Sequence, residues 1–133
     1  MLKGVWNMNK SILVEKMYDD IQRQGLINTI ASVFGRNAKI EMGYTQAVCD
    51  TPVELLDLSV RSYNALMRAN CKTVGQAITA INQQSLQGMR NLGRKSIAEI
   101  RSLIVEYGYK QLSETRKREF LLNLLQINGN KEE

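Results

Sequence analysis

Residues 91–99 read Asn91-Leu92-Gly93-Arg94-Lys95-Ser96-Ile97-Ala98-Glu99. A glycine in a tight turn is followed at once by two cations and a hydroxyl. The spacing predicts a helix from Ser96 to about Glu106, with Ser96 as its N-cap. Such a start puts free backbone N–H groups and positive charge on one spot, a ready seat for an anion. Ile97, Ile100, Ile104 and Val105 would line the core face of this helix, and Gly108 would stop it.

Outward from that turn, the middle of the sequence reads as a set of short helices. Thr51-Pro52-Val53-Glu54 has a cap residue, a proline at the first helical position and an acid two places later, which predicts a helix start. Ser59 caps a helix from Val60 to about Ala69, with Tyr63, Leu66 and Met67 as its apolar stripe. Asn70-Cys71-Lys72 is the following turn. Thr73 caps the next helix, which buries Val74, Ala77, Ile78 and Ile81. Ser85 opens a helical turn over Leu86–Met89, and Asn91-Leu92-Gly93 is a second hairpin.

The flanks are amphipathic. From about Asn9 to Asn37, Ile12, Leu13, Met17, Ile21, Leu26, Ile27, Ile30 and Phe34 recur at helical spacing, with a break at Gly25 and a stop at Gly35. Residues 38–50 read as a connector. Ser113 caps a last helix whose apolar face is Phe120, Leu121, Leu124, Leu125 and Ile127. That face needs a partner: the first helix, or a second copy of the protein. The expected fold is all-α, a compact bundle of short helices with two helix-hairpin-helix-like units and flanking amphipathic helices. The expected parts are 1–50, 51–112 and 113–133.

Composition narrows the function. The 133 residues carry a net charge of +5. Residues 1–50 hold six Lys/Arg against five Asp/Glu, residues 51–112 eight against four, and residues 113–133 four against four. The excess therefore sits in the middle segment, as a polyanion-binding surface would have it. Histidine is absent, which removes the usual general base and the commonest metal ligand. Cys49 and Cys71 alone make neither a disulfide framework nor a zinc site. There is no phosphate-binding glycine fingerprint and no nucleophile elbow. No apolar run reaches the length of a membrane span and no signal peptide is visible. These readings point to a cytoplasmic protein with no catalytic residues, metal or cofactor.

Leu55-Leu56-Asp57-Leu58-Ser59-Val60-Arg61-Ser62-Tyr63-Asn64-Ala65-Leu66, then Thr73-Val74-Gly75, then Asn91-Leu92-Gly93-Arg94-Lys95-Ser96 with Glu99-Ile100, closely resembles the C-terminal domain of the bacterial RNA polymerase alpha subunit. Order and spacing match through about sixty residues. The resemblance implies a small bundle built on two helix-hairpin-helix units. It implies a domain that binds A·T-rich DNA across the minor groove and touches activators and a sigma subunit. The family's DNA-contacting arginine falls on Arg61 and its helix neighbour on Asn64. The hairpin contacts fall on Gly93, Lys95 and Ser96, with Arg94 as an auxiliary charge and Glu99 as the brace. The sigma-facing acid falls on Asp57. Two positions depart from the pattern: Ala65 stands where some members have Cys, and Leu55 where some have an acid. The family's large assembly domain has no counterpart here, so a stand-alone relative is expected.

The residues support that reading on their own chemistry. Arg61 and Asn64, three apart, share a helix face. An arginine there suits a narrow A·T-rich minor groove, where the potential is most negative. Gly93 lets backbone approach a phosphate, which the N–H groups of Lys95 and Ser96 would hold. Glu99 would pair with Arg61 or Lys95. Arg68, Lys72 and Arg90 read as a solvated basic face. The expected function is a non-catalytic DNA-binding transcription regulator, with flanking helices as candidates for a homodimer interface. Two alternatives stand beside it. One is an adaptor that imitates the polymerase module to engage RNA polymerase, or to engage or compete for sigma factor or an activator. The other is a helix-hairpin-helix accessory of DNA repair or recombination.

Overall fold

The computed structural model describes residues 9–84 and 93–129. All named elements are helical: α1 Lys10–Gln24, α2 Leu26–Phe34, α3 Gln46–Cys49, a 3-10 turn Val53–Leu55, α4 Val60–Arg68, α5 Val74–Asn82, α6 Arg94–Lys110 and α7 Glu114–Gly129. Among the described residues the sole extended pairing is one isolated bridge, Pro52 with Thr73. The protein has an all-α fold that divides into two compact units. One comprises Met1–Met42 with Leu112–Glu133, the other Gly43–Gln111.

In the unit made from both ends of the sequence, α1 packs on α2 and on α7. Asn9 caps α1, its side chain accepting from the Ser11 N–H at 2.8 Å. Gly25 and Gly35 take φ of 90° and 88° and end α1 and α2, a left-handed region that favours glycine. Leu13, Val14, Met17, Leu26, Ile30 and Val33 are buried, as are Phe120, Leu121, Leu124 and Leu125 of α7. The expected stripe is corrected at Ile12, which is 59% exposed. Adjacent residues on a helix point about 100° apart, so the face that takes Leu13, Val14 and Met17 turns Ile12 outward. Ile27, Phe34 and Ile127 are half-buried. Between α1 and α7, Arg118 donates to both Glu15 oxygens (2.6 and 3.2 Å) and lies 4.3 Å over the Tyr18 ring. Tyr18 in turn donates to Glu114 at 3.0 Å.

The unit Gly43–Gln111 has a core of Val48, Val53, Leu56, Ala65, Leu66, Cys71, Val74, Ala77, Ala80, Ile81, Ile100 and Ile104. Within it α3 packs on α5, and α6 packs on both α4 and α5. Ser59 caps α4 and Thr73 caps α5, the latter in a capping box with Gln76. The turn between them is closed by Asn70 at φ 59°, with Cys71 N–H to Leu66 O at 2.8 Å and Asn70 N–H to Met67 O at 3.0 Å. These two bonds are the pattern of a Schellman helix end.

Three expectations are corrected here. Thr51 does not cap a helix: its carbonyl accepts from Val74 at 2.8 Å and its hydroxyl donates to Ala47 O at 2.9 Å. With Val53 N–H on Lys72 O at 3.0 Å, the Thr51–Val53 backbone is committed to a bridge, and only a 3-10 turn fits after it. The connector 38–50 carries a helix of its own, α3, capped by Thr45. Finally α6 continues through Gly108 to Lys110, with Gly108 and Tyr109 buried. Burying Tyr109 outweighs the helical cost of glycine, about 1 kcal/mol. The expected turn at Ser85–Met89, and Asn91-Leu92 of the second hairpin, lie outside the described residues.

Candidate nucleic-acid interface

The site residues come from two helix starts. On α4, Arg61 and Asn64 are both exposed, within the first turns after the Ser59 cap. On α6, Gly93, Arg94 and Lys95 are exposed at the helix start. Among the described residues, Arg61, Arg94 and Lys95 form no ion pair. Asp57 is exposed in the link between the 3-10 turn and α4.

The start of α6 differs from the sequence expectation. The cap is Gly93, and the helix has no side-chain cap. Ser96 is the third residue inside α6 and is buried. The physical reason is that Arg94 and Lys95 already adopt helical backbone, so Ser96 cannot flank the helix from outside. Ile97 N–H bonds Gly93 O at 3.2 Å. Among the described residues no acceptor meets the N–H groups of Arg94, Lys95 and Ser96. A 17-residue helix thus begins with donors that no described residue meets, the positive end of its dipole and two exposed cations.

Gly93 has φ −96° and ψ −176°, and a Cβ built there would meet nothing within 4 Å. Neither the backbone angle nor the packing of the described residues demands a glycine.

Glu99 is also corrected. It pairs with neither Arg61 nor Lys95. Its Oε1 accepts a hydrogen bond from Ser59 Oγ at 2.9 Å and another from Ser62 Oγ. Ser59 Oγ in turn accepts from the Ser62 N–H at 3.2 Å, as the cap of α4. The Ser62 hydrogen bond, aided by Ser59 and opposed by desolvation, holds the Glu99 carboxyl below the usual range. These bonds tie the first turn of α4 to the second turn of α6. Arg61 stands between the two serines, so the tie sets the Arg61 backbone relative to α6. Ser59 and Ser62 were missed as parts of the site; two hydroxyls three apart were the available signal.

Among the described residues no group of three or more His, Cys, Asp or Glu is placed to hold a metal ion. No helix among them is long and apolar enough to cross a membrane.

Fold and site together define a small helical module that offers an uncapped cationic helix start and an exposed arginine on the helix tied to it. Residues 41–106 match the family of the C-terminal domain of the bacterial RNA polymerase alpha chain. Over 62 residues the protein is 48% identical to the DNA-directed RNA polymerase subunit alpha of Roseiflexus sp. strain RS-1, covering 47% of this protein and 19% of that one. Over 60 residues it is 50% identical to the same subunit of Rubrobacter xylanophilus, covering 45% and 19%. For Cutibacterium acnes the identity is 47% over 58 residues, covering 44% and 17%. The match therefore spans about a fifth of the length of these curated relatives. No solved structure matches it.

Proposed function

We propose that this is a non-catalytic DNA-binding protein of transcription that contacts A·T-rich DNA through the starts of α4 and α6. In this reading Arg61 enters the minor groove and Asn64 meets base or sugar edges beside it. The open N–H groups of Arg94, Lys95 and Ser96 hold a phosphate, with Lys95 and Arg94 supplying charge. Gly93 lets that phosphate come close. Glu99 acts from behind, as the tie between the helices.

The observation that carries this reading is the α6 start. Among the described residues its donors are open, it lacks a side-chain cap, and neither backbone angle nor packing requires its glycine. Titration of a labelled A·T-rich duplex with the full-length protein tests it. Binding that weakens steeply with salt supports the reading; no binding at low salt removes it.

One observation favours a second reading, a protein-binding adaptor. Leu55 and Val60 are 65% and 77% exposed on either side of Asp57. An apolar pair around an acid suits a protein partner of the transcription machinery. Retention of RNA polymerase holoenzyme by the protein, lost on Leu55→Ser with DNA binding intact, separates this reading from the first.

A further inference from the structure

Ser62 is fully buried. A buried hydroxyl is costly unless it is paired, and its partner is the Glu99 carboxylate, 37 residues on in sequence. A carboxylate is an odd choice of partner at the edge of an anion-binding face, since its charge repels phosphate. A neutral acceptor would satisfy the hydroxyl without that penalty. What the carboxylate adds is strength: Oε1 takes both Ser62 and Ser59, and hydrogen bonds to an ionised group are roughly twice as strong as neutral ones. The two donors bracket Arg61 in sequence. The acceptor lies six residues into α6, about 9 Å along the axis from Gly93. One charged oxygen therefore fixes both the position of the Arg61 backbone and its offset from the open α6 donors.

We infer that Ser62, with Ser59 beside it, is a positioning residue of the DNA-contacting face, acting through Glu99 to hold the α4 start in register with the α6 start. This rests on the reading of that face as a DNA site. An arginine in a narrow groove and a phosphate on a helix start must be engaged together. A slip of α4 against α6 leaves each contact chemically intact but no longer simultaneous.

The test measures binding of A·T-rich and G·C-rich duplexes by the full-length protein and by Ser62→Ala, Glu99→Gln, the double variant and Arg61→Ala, with thermal unfolding of each. Each single change at the tie weakens A·T-rich binding by about tenfold, the loss expected for one charge-assisted hydrogen bond. The double variant is no weaker than the weaker single, because both changes break one link. The slope of log K against log salt stays that of the parent, since the phosphate contacts survive, while preference for A·T over G·C falls. Unchanged binding by folded Ser62→Ala, or losses that simply add in the double variant, overturn the positioning role. Should Ser62→Ala not fold, Ser59→Ala, which leaves the buried hydroxyl in place, carries the same test: a loss coupled to Glu99→Gln supports it, and a null or additive result overturns it. Arg61→Ala judges the underlying reading separately. If it binds as the parent does, the DNA site itself is withdrawn, and the positioning role with it.

Discussion

Ser59 and Glu99, 40 residues apart in sequence, are joined by a 2.9 Å hydrogen bond from hydroxyl to carboxylate, and Ser62 donates to the same oxygen. This links the cap of one helix to the side of another. The Glu99 carboxyl is held below its usual range, first by Ser62 and then by Ser59. A carboxylate depressed in the folded state contributes stability that is fully present above its unfolded pKa. That stability is lost as pH falls through the folded value. The parent is therefore expected to lose stability progressively below about pH 4.5, and Glu99→Gln to show a shallower acid limb. Urea unfolding midpoints at about pH 7, 5, 4 and 3 span that window; parallel pH profiles would contradict the assignment.

Gly93→Ala separates folding from binding. The position is extended and a Cβ there meets no described atom. Stability should fall by less than about 1 kcal/mol, the difference between glycine and alanine as an N-cap. DNA affinity should fall by more, because the methyl stands where the phosphate must approach. Thermal unfolding beside duplex titration reads both.

Gly75→Ala should do the reverse. Alanine normally improves a helix by about 1 kcal/mol. Here its Cβ would lie 3.0 Å from Cys49 Cβ and 3.1 Å from Cys49 O. The expected net result is a loss of about 1–2 kcal/mol through overpacking. Cys49→Ala does not relieve it, because the Cβ and the carbonyl oxygen remain. A rise in the thermal midpoint of Gly75→Ala would show that α3 gives way freely.

Asn128 tests the other unit. Its side chain accepts from Lys39 N–H and donates to Lys39 O and Leu124 O, each at 2.9 Å. Asn128 is buried, so removing it strands the Lys39 backbone groups. Asn128→Ala should cost about 1–3 kcal/mol, and amide exchange at Lys39 should quicken. Unchanged exchange there would mean the clamp is idle.

Much of the fold was legible in the sequence because it is local. The caps at Ser59 and Thr73, the breaks at Gly25 and Gly35 and the Asn70 turn each depend on a few neighbouring residues. So does the pairing of Leu121, Leu124 and Leu125 onto one face. The failures needed tertiary information. Thr51 looks like a cap until its carbonyl is seen to be taken by Val74. Ser96 looks like a cap until Gly93 is seen to start the helix three residues earlier. Gly108 looks like a stop until Tyr109 is seen to be buried. The sequence places Glu99 on a cation, Arg61 or Lys95, because a carboxylate beside a phosphate site is expected to brace a charge rather than contact the phosphate. Its real donors are hydroxyls 37 and 40 residues away, and local spacing holds no trace of that pairing. Val14 and Thr29 also entered the core unannounced, one beside more obvious apolar residues and one paired to Gly25 O at 2.8 Å.

Whether Arg61 and the α6 start engage one DNA duplex is decided by the salt dependence of binding to matched A·T-rich and G·C-rich duplexes, parent against Arg61→Ala. The parent is expected to favour A·T-rich DNA, with log K falling linearly in log salt. Arg61→Ala is expected to lose about 1–3 kcal/mol on the A·T-rich duplex and most of the preference between the two. Equal affinity of parent and variant for the A·T-rich duplex at every salt concentration would contradict that engagement.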